Sequence, residues 1–153
     1  MTATLNPITL VFASYGLGSM LGGLLSGLPF FVHFENRNYI SNRLTKSLGV
    51  LLFGWLIRHS FIGWFNQKLH YTGKFDAVSL QTLKREMTYA EVNHLLAFVL
   101  LQLFVFIMPL FGLSWLYMVL MTFVNIVFNM YLVLLQQYNK RRIDKILESK
   151  GQS

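Results

Sequence analysis

Residues Lys84 to His94 read KREMTYAEVNH and lead from a charged stretch directly into a long apolar one. With helical steps of ~100° per residue, Glu86, His94 and Glu91 fall at about 0°, 80° and 140°, within one face. Glu91 and His94 are also i,i+3 neighbours, close enough to touch on a helix. A carboxylate against an imidazole fixes its tautomer and raises its basicity, and an imidazole so held can take a proton from a hydroxyl. The same residues would also serve as the wet end of a membrane helix. What favours chemistry is that ionisable groups at a lipid boundary are costly to keep there.

A second set lies on the run that returns from the C-terminal apolar block. Asn125, Asn129, Gln136 and Asn139 fall at about 0°, 40°, 20° and 320°, a narrow polar line on an apolar rod. Amides inside lipid need partners, so this line faces protein, water or a substrate head group. Interhelical bonding and a binding site both account for it. Directly beyond come Lys140, Arg141 and Arg142, a basic group that anchors topology and can also hold phosphate or carboxylate. Glu-x-x-His occurs in di-iron bundles too, but those need two copies plus further carboxylates. His33, His59 and His70 show no matching spacing, so no metal is expected. No Gly-x-Ser-x-Gly, phosphate loop or dinucleotide fingerprint is present, which argues against serine nucleophiles and nucleotide hydrolysis.

What must position these residues is a helical bundle in lipid. Hydrophobic residues make up 54% of the 153, charged ones only 12%, and the mean hydropathy is +0.49. That is far from the roughly 25% charge of a soluble domain. Residues 1 to 32 and 95 to 139 contain no Asp, Glu, Lys, Arg or His, and each stretch is long enough to cross a bilayer at least once. There is no cysteine, hence no disulfide and no thiolate ligand. The net charge of +7 sits beside the apolar segments, which fits anionic lipid and not nucleic acid.

The expected architecture is all-α: an integral membrane helical bundle with three transmembrane helices plus one interfacial or re-entrant helix. Residues 8–32 form the first span, 44–66 the interfacial or re-entrant segment, 67–93 a cytoplasmic segment, 94–138 a transmembrane hairpin turning at Gly112 to Ser114, and 139–153 a basic tail. Arg58 and His59 interrupt the 44–66 segment, and burying Arg58 near the bilayer centre costs ~2.5 kcal/mol or more. If this segment does not cross, all thirteen Lys and Arg share one face, as the positive-inside rule prefers. Four crossings are the alternative. Trp55 and Trp64 suit the headgroup level. In the first span, Gly18 and Gly22 form one small-residue row and Gly23 and Gly27 the adjacent one, and either admits a partner helix backbone to backbone.

The two polar blocks resemble those of the glycosyl-4,4'-diaponeurosporenoate acyltransferases, small bacterial membrane proteins that esterify a glycosylated carotenoid. The resemblance lies in Glu86-x4-Glu91-x2-His94 and in Asn129-x6-Gln136-x-Tyr138-Asn139-Lys140-x-Arg142, with weaker similarity back to Phe34-Glu35. Tyr131 and Arg141 stand where the family often has proline. The resemblance implies an acyltransferase of the bacterial cytoplasmic membrane acting on a lipid or glycolipid, and the positive-inside rule applied to the three-crossing layout puts the C-terminus of this multi-pass chain in the cytoplasm. The resemblance also implies Glu86, Glu91 and His94 as catalytic residues and Asn129, Gln136, Tyr138, Asn139, Lys140 and Arg142 as substrate-binding ones. Its donor is an acyl thioester, with no tightly bound cofactor. On this reading His94, oriented by Glu91, deprotonates the acceptor hydroxyl, Asn129 or Gln136 donates to the oxyanion, and Lys140 and Arg142 hold the donor's phosphates. The expected partners are membrane lipids and a lipid or isoprenoid ligand. The rival reading is a non-catalytic subunit of a larger membrane complex, recruited through the glycine face of the first helix.

Overall fold

Asn6 starts the first helix. Its side chain accepts from the Ile8 N–H at 2.9 Å, and Pro7 occupies the first helical position, where a missing N–H costs nothing. The helix, α1, covers Pro7–Leu25 in the computed structural model, which describes residues 6–59, 76–149 and 151. It stops short of the end of the apolar run. Pro29 forces the preceding Leu28 into an extended conformation (φ −87°, ψ 148°), so a turn separates α1 from α2 (Pro29–Asn36). The expectation of one helix over 8–32 is corrected accordingly.

The segment expected at 44–66 is also divided. Helices α3 (Asn42–Ser47) and α4 (Val50–His59) meet at Gly49, whose φ of +65° is a left-handed conformation open to glycine. Phe61 to Phe65, Trp64, His70 and the start of the 67–93 segment lie outside the described residues. Asp76 then caps the longest helix, α5 (Ala77–Ile107), by accepting from the Ser79 N–H at 2.6 Å.

At 1.5 Å per residue α5 is ~46 Å long, well beyond a ~30 Å hydrocarbon core. Its first half is the charged stretch and its second half the ion-free one. A 3₁₀ turn, Met108–Phe111, and Gly112 at φ +70° reverse the chain. Ser114 caps α6 (Trp115–Asn125), a π turn spans Ile126–Met130, and α7 (Tyr131–Ser149) runs on from it. Pro7–Leu25, Ala77–Phe111 and Trp115–Ser149 are each long and apolar enough to cross a membrane. Together with the exposed apolar side chains along them, such as Phe12, Leu24, Leu103, Phe106, Leu110 and Phe123, this makes the protein an all-α membrane bundle, because a surface of that kind needs lipid against it.

Among the described residues two apolar cores hold the bundle. At the turn end, Val11 of α1 packs with Leu101 and Val105 of α5, Met108, and Met121 of α6. At the charged end, Leu80 and Met87 of α5 pack against Ile143 and Leu147 of α7, and Lys84 pairs with Asp144 at 2.7 Å. Between the cores α1 descends antiparallel to α5. A Cβ on Gly18 would lie 2.6 Å from the Asn93 carbonyl oxygen and 2.9 Å from the Ala97 nitrogen, and one on Gly22 would overlap the Asn93 side chain. A Cβ on Gly23 or Gly27 would meet nothing within 4 Å. The row Gly18 and Gly22 is therefore taken by the chain's own α5, and only Gly23 and Gly27 remain open.

Candidate active site

The ion-free part of α5 begins just after His94, so Glu91 and His94 sit between the two apolar cores. Glu91 is 1% exposed, and Lys140 of α7 is 0% exposed. The Lys140 ammonium lies 2.6 Å from Glu91 Oε2 and donates to the Phe34 carbonyl at 2.6 Å. Gln137 donates its amide N–H to Glu91 Oε1, and its own carbonyl oxygen accepts from the Tyr39 N–H at 3.0 Å. A buried ion pair survives only when further hydrogen bonds offset its desolvation, and these contacts supply them.

The same face of α7 straps residues 34–45 to the bundle. Arg141 donates to the Ile40 carbonyl and, at 2.6 Å, to Thr45 Oγ1. Asn38 donates to Asp144 at 2.9 Å. Under this strap lies a cleft of about 220 Å³, lined by Phe34, Tyr39, Ile40, Glu91, Leu95, Val133 and Gln137. Leu95 and Val133 belong to the ion-free runs, so the cleft leads from the Glu91 level toward the apolar part of the hairpin.

His94 belongs to a different cluster. Its ring stacks on Tyr15 of α1, with centroids 4.6 Å apart, and Nδ1 is 3.3 Å from Asn129 Oδ1. Asn129 donates to Asn125 Oδ1 at 2.9 Å. Asn125 donates to the Phe98 carbonyl at 3.0 Å and to Gln102 Oε1 at 3.4 Å, and Gln102 donates to Thr122 Oγ1 at 3.4 Å. Each amide in this membrane-level ladder is satisfied by protein, as lipid demands.

The pairing of Glu91 with His94 is thus replaced by two separate pairings: Glu91 with Lys140 and Gln137, and His94 with Asn129. The displacement has a simple origin. An even α-helical count puts Gln136 and Asn139 in line with Asn125 and Asn129, but the π turn at Ile126–Met130 accommodates one extra residue. Every later position is shifted by one, so Gln137 and Lys140 occupy the places read for Gln136 and Asn139. Gln136 is buried and its carbonyl oxygen has no hydrogen-bond partner among the described residues.

The remaining candidates sit outside the buried set. Glu86 is exposed on α5, Asn139 and Tyr138 are half-buried, and the exposed Arg142 lies over the Tyr138 ring, 5.9 Å from its centroid. Lys140 has no access to solvent, and its charge already faces Glu91. Asn129 is fully buried and commits one amide N–H to Asn125, which leaves its second N–H for an oxyanion. Gln137 and Thr45 were not among the residues read from the sequence, and Arg141 was read only as one of the basic group Lys140 to Arg142, not as a donor to Ile40 and Thr45. The signal for Gln137 and Arg141 was the row Gln137, Arg141, Asp144, polar at i, i+4 and i+7 on an otherwise apolar helix. Among the described residues no three His, Asp or Glu side chains gather as a metal would require.

No curated protein and no solved structure matches the chain. A family model does, over residues 30–149, which takes in α2 to α7 and both polar clusters. The chain belongs to the glycosyl-4,4'-diaponeurosporenoate acyltransferase family.

Proposed function

We propose that the protein transfers an acyl group from an acyl thioester to a hydroxyl of a glycolipid of the glycosylated carotenoid type, at the charged-side boundary of a bacterial cytoplasmic membrane. Family membership supports the reaction class. The observation that carries the site is His94, held between Asn129 and the Tyr15 ring. An imidazole so placed can take the hydroxyl proton as the oxygen attacks the thioester carbonyl. Collapse of the tetrahedral intermediate expels the thiolate, which recovers that proton from the imidazolium, leaving ester and thiol.

The other residues take supporting parts. Glu91, Lys140 and Gln137 hold the strap that roofs the cleft, and the cleft receives part of a substrate's apolar chain. Arg142, exposed on α7, meets the phosphates of a donor. Gln136, buried on α7, is the amide of the sequence-derived pair that donates to the oxyanion. Helix α4, with Leu52, Trp55 and Leu56 exposed along it, lies in the interface, and the chain crosses the membrane three times with its C-terminus cytoplasmic.

The test is conversion of a glycosylated carotenoid and a long-chain acyl thioester in membranes carrying the full chain. Wild type forms the ester, and His94→Ala forms none while remaining folded in the membrane. Ester formation by His94→Ala at the wild-type rate overturns the assignment of the base. Absence of product from wild type, with loss of a co-purifying complex when the protein is deleted, supports the subunit reading instead.

A further inference from the structure

The amide ladder between α5 and α6 has a fixed sense, and that sense sets the state of His94. The Phe98 carbonyl can only accept, so the atom of Asn125 that faces it at 3.0 Å is the amide nitrogen. The Asn125 oxygen therefore faces Asn129, and only the Asn129 nitrogen can answer it, at 2.9 Å. That turns the Asn129 oxygen to the imidazole, 3.3 Å from Nδ1, where an acceptor demands a donor. Gln102 agrees from the side: its oxygen takes a second N–H of Asn125, and its nitrogen faces Thr122 Oγ1. The oxygen and nitrogen of a side-chain amide are easily interchanged, but here a main-chain carbonyl at one end of the ladder removes the choice.

We infer that Asn125 and Asn129 are positioning residues that hold His94 as the Nδ1–H tautomer, leaving the Nε2 lone pair as the atom that takes the acceptor's proton. The inference rests on the proposed acyl transfer for its purpose and on the ladder alone for its geometry. An imidazole base is commonly oriented by a carboxylate. Here both Glu91 oxygens are engaged by Gln137 and Lys140. A neutral amide also suits the setting, because it fixes the ring without placing an isolated charge at membrane depth. Asn125 does not touch His94 and acts through Asn129. Tyr15, stacked on the ring, limits its tilt.

Nitrogen NMR of the full chain in lipid nanodiscs, with ¹⁵N-labelled histidine, tests this. The His94 signals are assigned as those missing from His94→Gln. The expected wild-type spectrum shows a neutral ring protonated at Nδ1 and bare at Nε2. Asn129→Leu removes the acceptor and Asn125→Leu frees Asn129 to turn, so both should give a mixture of tautomers. Ester formation should fall about 10²-fold or more in Asn129→Leu and less in Asn125→Leu. A wild-type ring protonated at Nε2, or an Asn125→Leu spectrum like that of wild type, overturns the inference. The two readings fail separately: a wrong tautomer sinks the ladder whatever the protein catalyses, whereas intact product from His94→Ala sinks the role of His94 with the tautomer still in place.

Discussion

Lys140 holds a full charge where no solvent reaches it, and Glu91 is the reason it can. Taking either ion out of water costs several kcal/mol, and the cost is met only by their mutual attraction together with Gln137 and the Phe34 carbonyl. Lys140→Met leaves the carboxylate uncompensated and is expected to destabilise the protein by about 3–5 kcal/mol. Glu91→Leu alone strands the ammonium to a similar degree. The double variant Glu91→Leu/Lys140→Met should recover most of that loss, since a well-packed apolar pair of similar volume is often no worse than an ion pair. Unfolding in mixed detergent micelles measures all three. If the double variant is as unstable as the sum of the singles, the pair is not what stabilises this level of the bundle. Recovered ester formation in the double variant would further assign Glu91 to folding and not to proton transfer.

At the scale of elements, two local irregularities decide which residues meet. The π turn after α6 moves Gln137 and Lys140 onto the face that touches α5, as no regular helix would. The notch at Gly18 and Gly22 lets α1 approach that same helix from the other side. Inside lipid the apolar effect gives no preference for one apolar neighbour over another, so such close backbone approach carries much of the helix association. Gly18→Ala places a methyl against the Asn93 carbonyl and the Ala97 nitrogen, main-chain atoms that cannot swing away. A loss of about 1–3 kcal/mol is expected from that overpacking. Gly22→Leu forces Asn93 aside and should also loosen α1, while Gly23→Leu, pointing into open space, should unfold at the wild-type temperature. Thermal melts in detergent separate these outcomes. A normal melting temperature for Gly18→Ala would remove the notch from the account.

For the molecule as a whole, a belt of buried polar groups lies between two apolar cores, one at the turn and one in the charged stem. The stem is bound to the strap through Asn38 and Asp144, so residues 37 and 145 must lie on the same side of a membrane. The turn at Phe111 lies at the far end of α5. With no native cysteine to interfere, Arg37→Cys and Lys145→Cys should react with an impermeant maleimide from the cytoplasmic side only, and Phe111→Cys from the opposite side. Labelling of positions 37 and 145 from opposite faces is incompatible with the strap. Labelling of both from outside the cell would invert the proposed orientation.

The sequence by itself determined the solvent, the class and the family. Two long ion-free stretches, apolar without strand-like alternation, point to helices in lipid, where a helix satisfies its own backbone. The Glu86-to-His94 and Asn129-to-Arg142 blocks carry enough specific residues to identify the relatives. The turn after Pro109 was equally legible, since proline and Gly112 act through local backbone geometry. Partnership was not. Glu91 and His94, adjacent on one helix face, invite a pairing that only the approach of α7 could refuse, and α7 refuses it by offering Lys140 and Gln137. Which amide arrives opposite Glu91 depends on the π turn, and nothing in the spacing of Asn125, Asn129 and Gln136 announces an added residue. The strap likewise depends on contacts a hundred residues apart, such as Lys140 with Phe34, that a periodic reading of either segment cannot reach. Local steric rules are written residue by residue, whereas charge pairing and hydrogen-bond direction are settled only when distant helices share the same space.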